Sequence, residues 1–221
     1  MNRRGGHGAK NEGAKIRVAL VGHGRWGANV ARDLSRLDNA VLNHVADIDA
    51  GARLRASRAC PSASIVSSLE ESLNQVDAVA ICTPASSHAA IAEAALAASK
   101  HVFVEKPIAM AAASAQRLAD LAERESRVLM VGHQMLYHPS FERLTRVVAS
   151  GDFGALIGVR AERFGVVDPA RDPDVLWAYG PHDVAMMTAL VGALPCDVRV
   201  VRVFGGAGGD GSAVSLRFAF A

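Results

Sequence analysis

The stretch IRVALVGHGRWG, residues 16–27, decides the fold of this chain. An apolar run of six residues leads directly into the pattern G-x-G-x-x-G, and a helical pattern follows. A second apolar run, residues 41–46, ends at Asp47, which lies 20 residues after Gly27. This order is typical of a strand, a tight turn, a helix and a parallel strand, the arrangement that holds a dinucleotide pyrophosphate at a helix N-terminus.

Each glycine of the turn has its own reason to be glycine. Gly22 permits the turn, Gly24 lets backbone N–H groups approach the phosphates, and Gly27 lets the helix pack close to the strand. The helix N-terminus adds unpaired N–H donors and a partial positive charge. We therefore predict that the turn, including Arg25 and Trp26, binds a dinucleotide cofactor. The alternative is a glycine turn in some other α/β domain.

Asp47 is predicted to accept hydrogen bonds from the hydroxyls of the adenosine ribose. A carboxylate there repels a 2′-phosphate and favours NAD over NADP. Arg53 and Arg55 are near enough in sequence to keep NADP possible. The structural alternative for Asp47 is a solvated strand end, or the start of a turn with Asp49.

Composition is that of an ordinary globular protein. The chain has 221 residues, 50% of them hydrophobic and 21% charged, which is enough for one large domain or two small ones. A net charge of +2 and the lack of a basic stripe argue against a nucleic-acid partner. The three cysteines lack the spacing of a metal site, so we expect no metal and a reducing compartment. No membrane span or export signal is evident, which makes the cytoplasm the expected location.

Strand and helix patterns alternate along the first 133 residues, which predicts a doubly wound parallel sheet. A capping box at Ser68-x-x-Glu71 supports the third helix. The predicted strands are 16–21, 41–46, 63–66, 77–82, 101–104 and 128–131. The predicted helices are 26–37, 50–59, 69–75, 87–99, 111–125 and 140–149.

The character of the chain changes after Gly132. We expect an extended run over 155–164, a helix over 181–191 with Pro181 in its first turn, and strands near 196–204 and 212–220. The sequence thus predicts three parts: a flexible tail (1–14), a dinucleotide-binding domain (15–133) and an α+β domain (134–221). The last strand pattern is still strong at Ala221. We therefore expect an open sheet that is truncated from a longer protein, or covered by another subunit.

Two residues are candidates for proton transfer. Lys106 follows the strand of HVFVEKP (101–107) and lies where an open α/β sheet forms its ligand crevice. Partial desolvation there eases proton exchange by a lysine, and Glu105 can orient it. Glu105 and Lys106 are also predicted to contact the cofactor. His182 lies in the first turn of a predicted helix, where the helix dipole helps to keep the ring neutral. The alternatives are a surface Glu–Lys pair and a satisfied, partly buried histidine.

Other candidates lie in predicted loops. Thr83 and Pro84 end the fourth strand and His88 opens the next helix, so they are predicted to contact the nicotinamide or its ribose; the alternative is a turn with a helix cap. The predicted substrate-binding residues lie at or beyond the domain junction. They are His133, Tyr137, His138 and Arg163. The first three are equally suited to fastening two domains, and Arg163, like Arg160, to the exposed side of a strand.

The chain resembles the glucose–fructose oxidoreductase / inositol dehydrogenase family from about residue 16 to residue 221. The segment HVFVEKP is the most specific motif of four that occur in the family's order. The others are residues 22–27, 83–88 and 180–183. Residues 128–133, 136–139 and 175–183 are similar to the branch that acts on nucleotide sugars, which includes UDP-N-acetylglucosaminuronic acid 3-dehydrogenases.

The resemblance implies an NAD(P)-dependent oxidoreductase with an N-terminal Rossmann domain. In the family, Lys106 and His182 match a catalytic pair that takes the hydroxyl proton while a sugar carbon gives hydride to nicotinamide. It also implies a homo-oligomer formed through the C-terminal sheet. Many members have Asp where this chain has Ala178. This difference weakens the case for a polyol substrate more than the case for a nucleotide sugar. Alternatives are a cofactor-binding protein without turnover, a dehydrogenase of a free sugar or polyol, and a regulator, although no DNA-reading module is evident.

Overall fold

A computed structural model describes residues 14–162, 175–204 and 213–220. Contacts within these residues divide the chain into two compact units, and the division falls between Val131 and Gly132. The division lies two residues before the domain boundary expected from the sequence. No helix in the described ranges is long and apolar enough to cross a membrane.

The first unit is a six-stranded sheet in which every neighbouring pair of strands is parallel. Its spatial order is β3-β2-β1-β4-β5-β6, so the order reverses between β1 and β4. The strands are β1 (Ile16–Val21), β2 (Ala40–Ala46), β3 (Ser64–Val66), β4 (Ala78–Ile81), β5 (His101–Val104) and β6 (Leu129–Val131). The helices are α1 (Arg25–Leu34), α2 (Ala50–Ala59), α3 (Ala85–Ala97) and α4 (Ala112–Arg124). The predicted doubly wound fold is confirmed.

The strands are largely apolar because both faces of the sheet are covered. On β1, Ala19 and Val21 pack into one buried cluster, while Val18 and Leu20 pack into the other. Successive side chains of a strand point to opposite faces, so a strand buried on both sides needs an unbroken apolar run.

The second unit contains α5 (Pro139–Ser150), α6 (Val175–Val191) and an antiparallel pair, β7 (Asp197–Phe204) and β8 (Ala213–Ala219). Proline suits the first position of α5 because that position needs no intrahelical N–H. Gly151 ends α5 at φ +72°, the left-handed conformation that glycine adopts readily. This unit agrees with the expected α+β part.

Three predicted elements differ from the structure. The helix predicted over 69–75 is wrong, because the segment forms only a 3-10 turn at Leu73–Gln75. Glu71 Oε1 accepts the backbone N–H groups of Ser67 and Ser68, as a capping box would have it, but the turn that it caps does not continue as an α-helix. The extended run predicted over 155–164 forms no strand in residues 155–162, and its last two residues lie outside the described ranges.

The helix predicted to begin at Pro181 begins at Val175 instead. Proline inside a helix forfeits one backbone hydrogen bond and costs about 3 kcal/mol. The 17-residue helix nevertheless continues through Pro181, so the proline does not mark a helix start here.

Asp77 connects β1 to the start of β4. Its carboxylate accepts the Arg17 guanidinium at 2.7 and 3.1 Å and the Arg17 backbone N–H at 2.9 Å. The Arg17 side chain, bound in this way, lowers the pKa of Asp77 from 3.8 to about 2. Both side chains remain nearly half exposed, so the energetic gain is small.

Replacing Asp77 with Asn is expected to lower the free energy of unfolding by about 1 kcal/mol at neutral pH. A carboxylate with a depressed pKa stabilises the fold above its unfolded pKa, and that stability is lost as the pH falls through the folded pKa. The difference in the free energy of unfolding between the wild type and Asp77→Asn should therefore disappear as the pH falls from 3.8 to 2. Urea titrations at several pH values measure this. Asp33→Asn is the control, since Asp33 pairs only with the adjacent, exposed Arg32 among the described residues; an equal loss in the control would contradict the prediction.

Candidate functional site

In the glycine turn after β1, the backbones of Gly22 and Gly27 are in close contact. Gly22 has φ +91°, a conformation that other residues rarely adopt. A Cβ added to Gly27 would lie 1.9 Å from the carbonyl oxygen of Gly22. Helix α1 can therefore pack directly against the turn only when residue 27 is glycine.

The N-terminus of α1 is open. Gly24 is its N-cap, no side chain caps it and its first turn holds no acid. A Cβ added to Gly24 would meet no described atom within 4 Å. Backbone N–H donors and the positive end of the helix dipole therefore face free space, which fits the pyrophosphate of a dinucleotide. Arg25 and Trp26 are exposed on the first turn of the helix.

Asp47 lies directly after β2, beside this turn. Its Oδ2 accepts the backbone N–H of His23 at 2.7 Å, and its Oδ1 accepts that of Asp49 at 2.9 Å. The turn with Asp49, weighed as a structural alternative, is thus present. These two hydrogen bonds fix the carboxylate at the carboxyl edge of the sheet, and its contact with a ribose stays a prediction.

The two nearby arginines have partners on the same loop. The Arg53 guanidinium donates to the carbonyls of Asp47 and Ile48 at 2.8 and 2.9 Å. Arg55 lies 3.9 Å from the carboxylate of Asp49. Arg53 therefore braces the loop that carries Asp47, and a 2′-phosphate would have to compete with these contacts.

His23 is a feature that the sequence did not single out. Its side chain is 3% exposed, and neither ring nitrogen has a hydrogen-bond partner among the described residues. Burial lowers the pKa of this histidine, so its ring is neutral under ordinary conditions. No local pattern distinguishes such a residue, because the middle position of G-x-G accepts many side chains.

The loop after β4 is held by its own side chains. The Thr83 hydroxyl accepts the Ser87 hydroxyl at 2.8 Å, and Pro84 is the N-cap of α3. His88 is 1% exposed, and its ring nitrogens lie 2.7 Å from the carbonyl oxygen of Pro107 and 2.8 Å from that of Thr83. With the ring buried and both nitrogens facing backbone carbonyls, His88 has no polar side-chain atom left for the predicted cofactor contact.

Lys106 lies at the end of β5 and is half-buried. The adjacent Glu105 accepts the indole N–H of Trp26 at 2.6 Å and the backbone N–H of Lys106 at 3.3 Å. Glu105 thus links the segment that carries Lys106 to the first turn of α1. The sequence did not indicate this contact, because the two side chains lie 79 positions apart.

Cys82 lies between these elements. Burial raises its thiol pKa to about 12, and the negative charge of Glu105 adds to the shift. The thiol therefore stays protonated and contributes neither a charge nor a nucleophile to the site.

The carboxyl ends of four strands bring the predicted cofactor residues to one edge of the sheet. Parallel neighbours place their carboxyl ends together, and the strand order reverses between β1 and β4, where open α/β sheets bind ligands. The residues are Gly22, Gly24, Arg25, Trp26 and Gly27 after β1, Asp47 after β2, Thr83 and Pro84 after β4, and Glu105 and Lys106 after β5.

In the second unit, His133 and His182 form an edge-to-face pair. Their ring centroids are 6.3 Å apart and their planes are inclined by 79°. His182 is 6% exposed and lies in the middle of α6. The predicted position in the first turn of a helix is therefore wrong, and so is the predicted effect of the helix dipole on its ring. The dipole effect is confined to the first turn.

The remaining predicted substrate residues have different positions. Tyr137 is 61% exposed at the end of a 3-10 turn. His138 caps α5, because its Nδ1 accepts the backbone N–H of Ser140 at 3.3 Å. Arg163 lies outside the described residues.

A cavity of about 870 Å³ in this unit is lined by α5, α6 and β8 side chains such as Val148 and Met187, and by none of the predicted substrate residues that are described.

Comparisons with known proteins agree with this geometry. Residues 16–133 match the model of the oxidoreductase family with an NAD-binding Rossmann fold. A UDP-N-acetylglucosamine 3-dehydrogenase of Acidithiobacillus ferrooxidans is 32% identical over 85% of the chain and 58% of its own length. An inositol 2-dehydrogenase of Leifsonia xyli is 31% identical over 84% of the chain and 56% of its own length.

A solved structure is similar over the whole chain. GenD2 from gentamicin A biosynthesis, in complex with NAD, matches with a TM-score of 0.79 and 28% identity, over 100% of the chain and 66% of GenD2. The chain spans somewhat more than half the length of the curated relatives named above. The family match covers more than half of the chain and includes the glycine turn, Asp47 and Lys106. The chain therefore belongs to the oxidoreductase family with an NAD-binding Rossmann fold.

Proposed function

We propose that this protein transfers hydride between NAD and a ring carbon of a nucleotide sugar that bears a hydroxyl or a ketone. One observation carries the proposal. The open N-terminus of α1, the carboxylate of Asp47 and the side chain of Lys106 all belong to the carboxyl edge of a single sheet. That edge combines a phosphate site, a ribose acceptor and a proton-transfer group.

The turn and Asp47 bind the cofactor in this proposal. Backbone N–H groups at the start of α1 hold the pyrophosphate, and Asp47 accepts the ribose hydroxyls. When bound, NAD supplies a nicotinamide carbon that accepts or returns hydride. The hydrogen bond from His23 and the brace from Arg53 keep the Asp47 carboxylate in place before the cofactor arrives.

Lys106 and His182 handle the proton. In the oxidative direction a neutral Lys106 amine takes the proton of the substrate hydroxyl, and in the reductive direction the ammonium returns it. Glu105 holds the backbone of Lys106, so the amine starts from a fixed point. His182 is the second proton-handling group, and its ring packs against His133, which restricts its orientation.

A nucleotide sugar is the proposed substrate on two grounds. One relative is a UDP-N-acetylglucosamine 3-dehydrogenase, and the chain has Ala178 where many family members have an Asp. A polyol is the second candidate, because another relative is an inositol 2-dehydrogenase.

We also propose that copies of the chain associate through the β7–β8 sheet. Val198 and Val200, two residues apart on β7 and so on one face of the sheet, are 52% and 64% exposed. Adjacent exposed apolar side chains on a strand mark a surface for association.

Alanine substitutions at Gly24 and Gly27 should separate effects on cofactor binding from effects on folding. Gly27→Ala is expected to destabilise the protein by about 3 kcal/mol, because the methyl group would overlap the Gly22 carbonyl. Gly24→Ala should leave the fold intact and weaken NAD binding about tenfold, since its methyl group occupies the space proposed for the phosphates. Thermal unfolding and calorimetric titration with NAD measure both effects. Gly158→Ala, whose Cβ also meets nothing described within 4 Å, should change neither. Unchanged NAD affinity in Gly24→Ala would contradict the proposed phosphate site.

Turnover should depend on Lys106 and His182. Lys106→Met and His182→Gln are expected to lower kcat by about 10²- to 10⁴-fold, the usual contribution of general acid–base catalysis. The dissociation constant of NAD should change by less than about threefold, since neither residue is proposed to hold the phosphates or the adenosine. NADH absorbance is followed with UDP-N-acetylglucosamine, its uronic acid and myo-inositol as separate substrates.

Lys100→Met is the matched control, because Lys100 precedes the opposite end of the same strand β5. It should retain the kcat of the wild type. NADH formation by Lys106→Met and His182→Gln at the wild-type rate would contradict the catalytic assignment. If the wild type binds NAD but oxidises none of the three substrates, the result would support the alternative, a cofactor-binding protein without turnover.

Light scattering should find more than one copy of the wild-type chain per particle. Val200→Lys is expected to shift the protein to single copies, because a charge would have to be desolvated in the contact. Arg217→Lys keeps the charge on the partner strand and is the control. A monomeric wild type would overturn this part of the proposal.

A further inference from the structure

The His88 ring lies between two backbone carbonyls. Its Nδ1 is 2.7 Å from the oxygen of Pro107, and its Nε2 is 2.8 Å from the oxygen of Thr83. The ring is 1% exposed, so water has almost no access to either nitrogen. Both distances are those of short hydrogen bonds.

Both partners of this ring can only accept a hydrogen bond. A neutral imidazole has one N–H donor and one nitrogen lone pair. With a neutral ring, a lone pair would face a carbonyl oxygen at less than 3 Å inside the protein, and that carbonyl would lose its donor. Only a ring with a proton on each nitrogen donates to both oxygens.

We propose that His88 carries both ring protons and, as a buried cation, positions the segment that holds Lys106. The proposal adds a positioning residue to the proposed function and rests on it for the role of Lys106. His88 does not touch the ligands, since its ring is buried. It acts through Pro107, the residue that follows Lys106.

The surroundings are suited to a buried cation. Two charge-assisted hydrogen bonds to carbonyls offset part of the cost of removing the charge from water. Glu105 lies two positions before Pro107, and its negative charge contributes to the raised pKa of Cys82, the neighbour of Thr83. An anionic carboxylate therefore lies at the same edge of the sheet as the His88 ring.

With His88, Lys106 is anchored on both sides. On one side, Glu105 accepts the Trp26 indole N–H at 2.6 Å and the Lys106 backbone N–H at 3.3 Å. On the other side, the His88 ring holds the Pro107 carbonyl and connects it to Thr83, at the end of the neighbouring strand. Loss of this bridge would free one end of the segment while leaving the glycine turn intact.

NMR of protein labelled with ¹⁵N-histidine tests the protonation directly at about pH 7.5, without cofactor or substrate. Both ring nitrogens of His88 should have the chemical shifts of protonated nitrogen and bear slowly exchanging protons. His101 is the internal reference, because its Nδ1 accepts the backbone N–H of Val128 at 3.0 Å and so carries no proton. One unprotonated nitrogen in His88 would overturn the proposal.

Variants test the positioning role. His88→Phe removes both donors and should accelerate amide hydrogen exchange in residues 105–109 at least tenfold, with kcat falling at least tenfold and NAD affinity within threefold of wild type. His88→Gln, which keeps an amide donor for one carbonyl, should lose less in each measurement and serves if the Phe variant does not fold. His101→Gln, the matched control, should not change exchange in this segment.

These readouts distinguish the proposal from the proposed function. The NMR spectrum and the hydrogen exchange do not require turnover, so a wild type without activity would overturn the proposed reaction and leave the bridge standing. Wild-type exchange rates, or a wild-type kcat, in a folded His88→Phe variant would overturn the positioning role.

Discussion

The contact between Gly22 and Gly27 is the constraint on which the site depends. The carbonyl oxygen of Gly22 occupies the place of a Cβ at residue 27, and a Cβ at Gly22 would lie 2.8 Å from the carbonyl oxygen of Cys82. The Gly22 N–H also donates to the carbonyl of Ala46, the last residue of β2, at 2.8 Å. The turn is thus wedged between the ends of β2 and β4. That position brings the positive end of α1 to the carboxyl edge of the sheet.

In this position the turn donates hydrogen bonds to two carboxylates, one on each side. The His23 backbone N–H donates to Asp47 after β2, and the Trp26 indole N–H donates to Glu105 after β5. The two carboxylates belong to the adenosine side and the nicotinamide side of the proposed cofactor site. One turn therefore sets the orientation of groups at both ends of the site. A displacement of α1 would move the N–H groups at its start and disturb both acids together.

Periodicity was sufficient for the first unit because its strands are buried on both faces. The apolar runs of β1 and β2 and the glycine spacing predicted the parallel sheet and its ligand edge. The prediction failed where a local signal for a helix start did not decide where the helix lies. Glu71 makes the hydrogen bonds of a capping box without a helix after it, and Pro181 lies within a helix that begins at Val175. The contacts of Trp26 with Glu105 and of His88 with Pro107 join side chains and loops far apart in sequence, and no pattern in one chain encodes them.

Two buried histidines show how the surroundings, and not the residue type, decide what an imidazole does. The His23 ring has no hydrogen-bond partner among the described residues, and burial lowers its pKa. A ring in that setting is neutral, and the contact with Asp47 is made by the backbone N–H of His23. The His88 ring meets an acceptor at each nitrogen, and its two bonds join backbone that would otherwise be separate loops. The site thus draws its rigidity from buried polar contacts to backbone, which leaves the exposed side chains at the sheet edge available to a ligand.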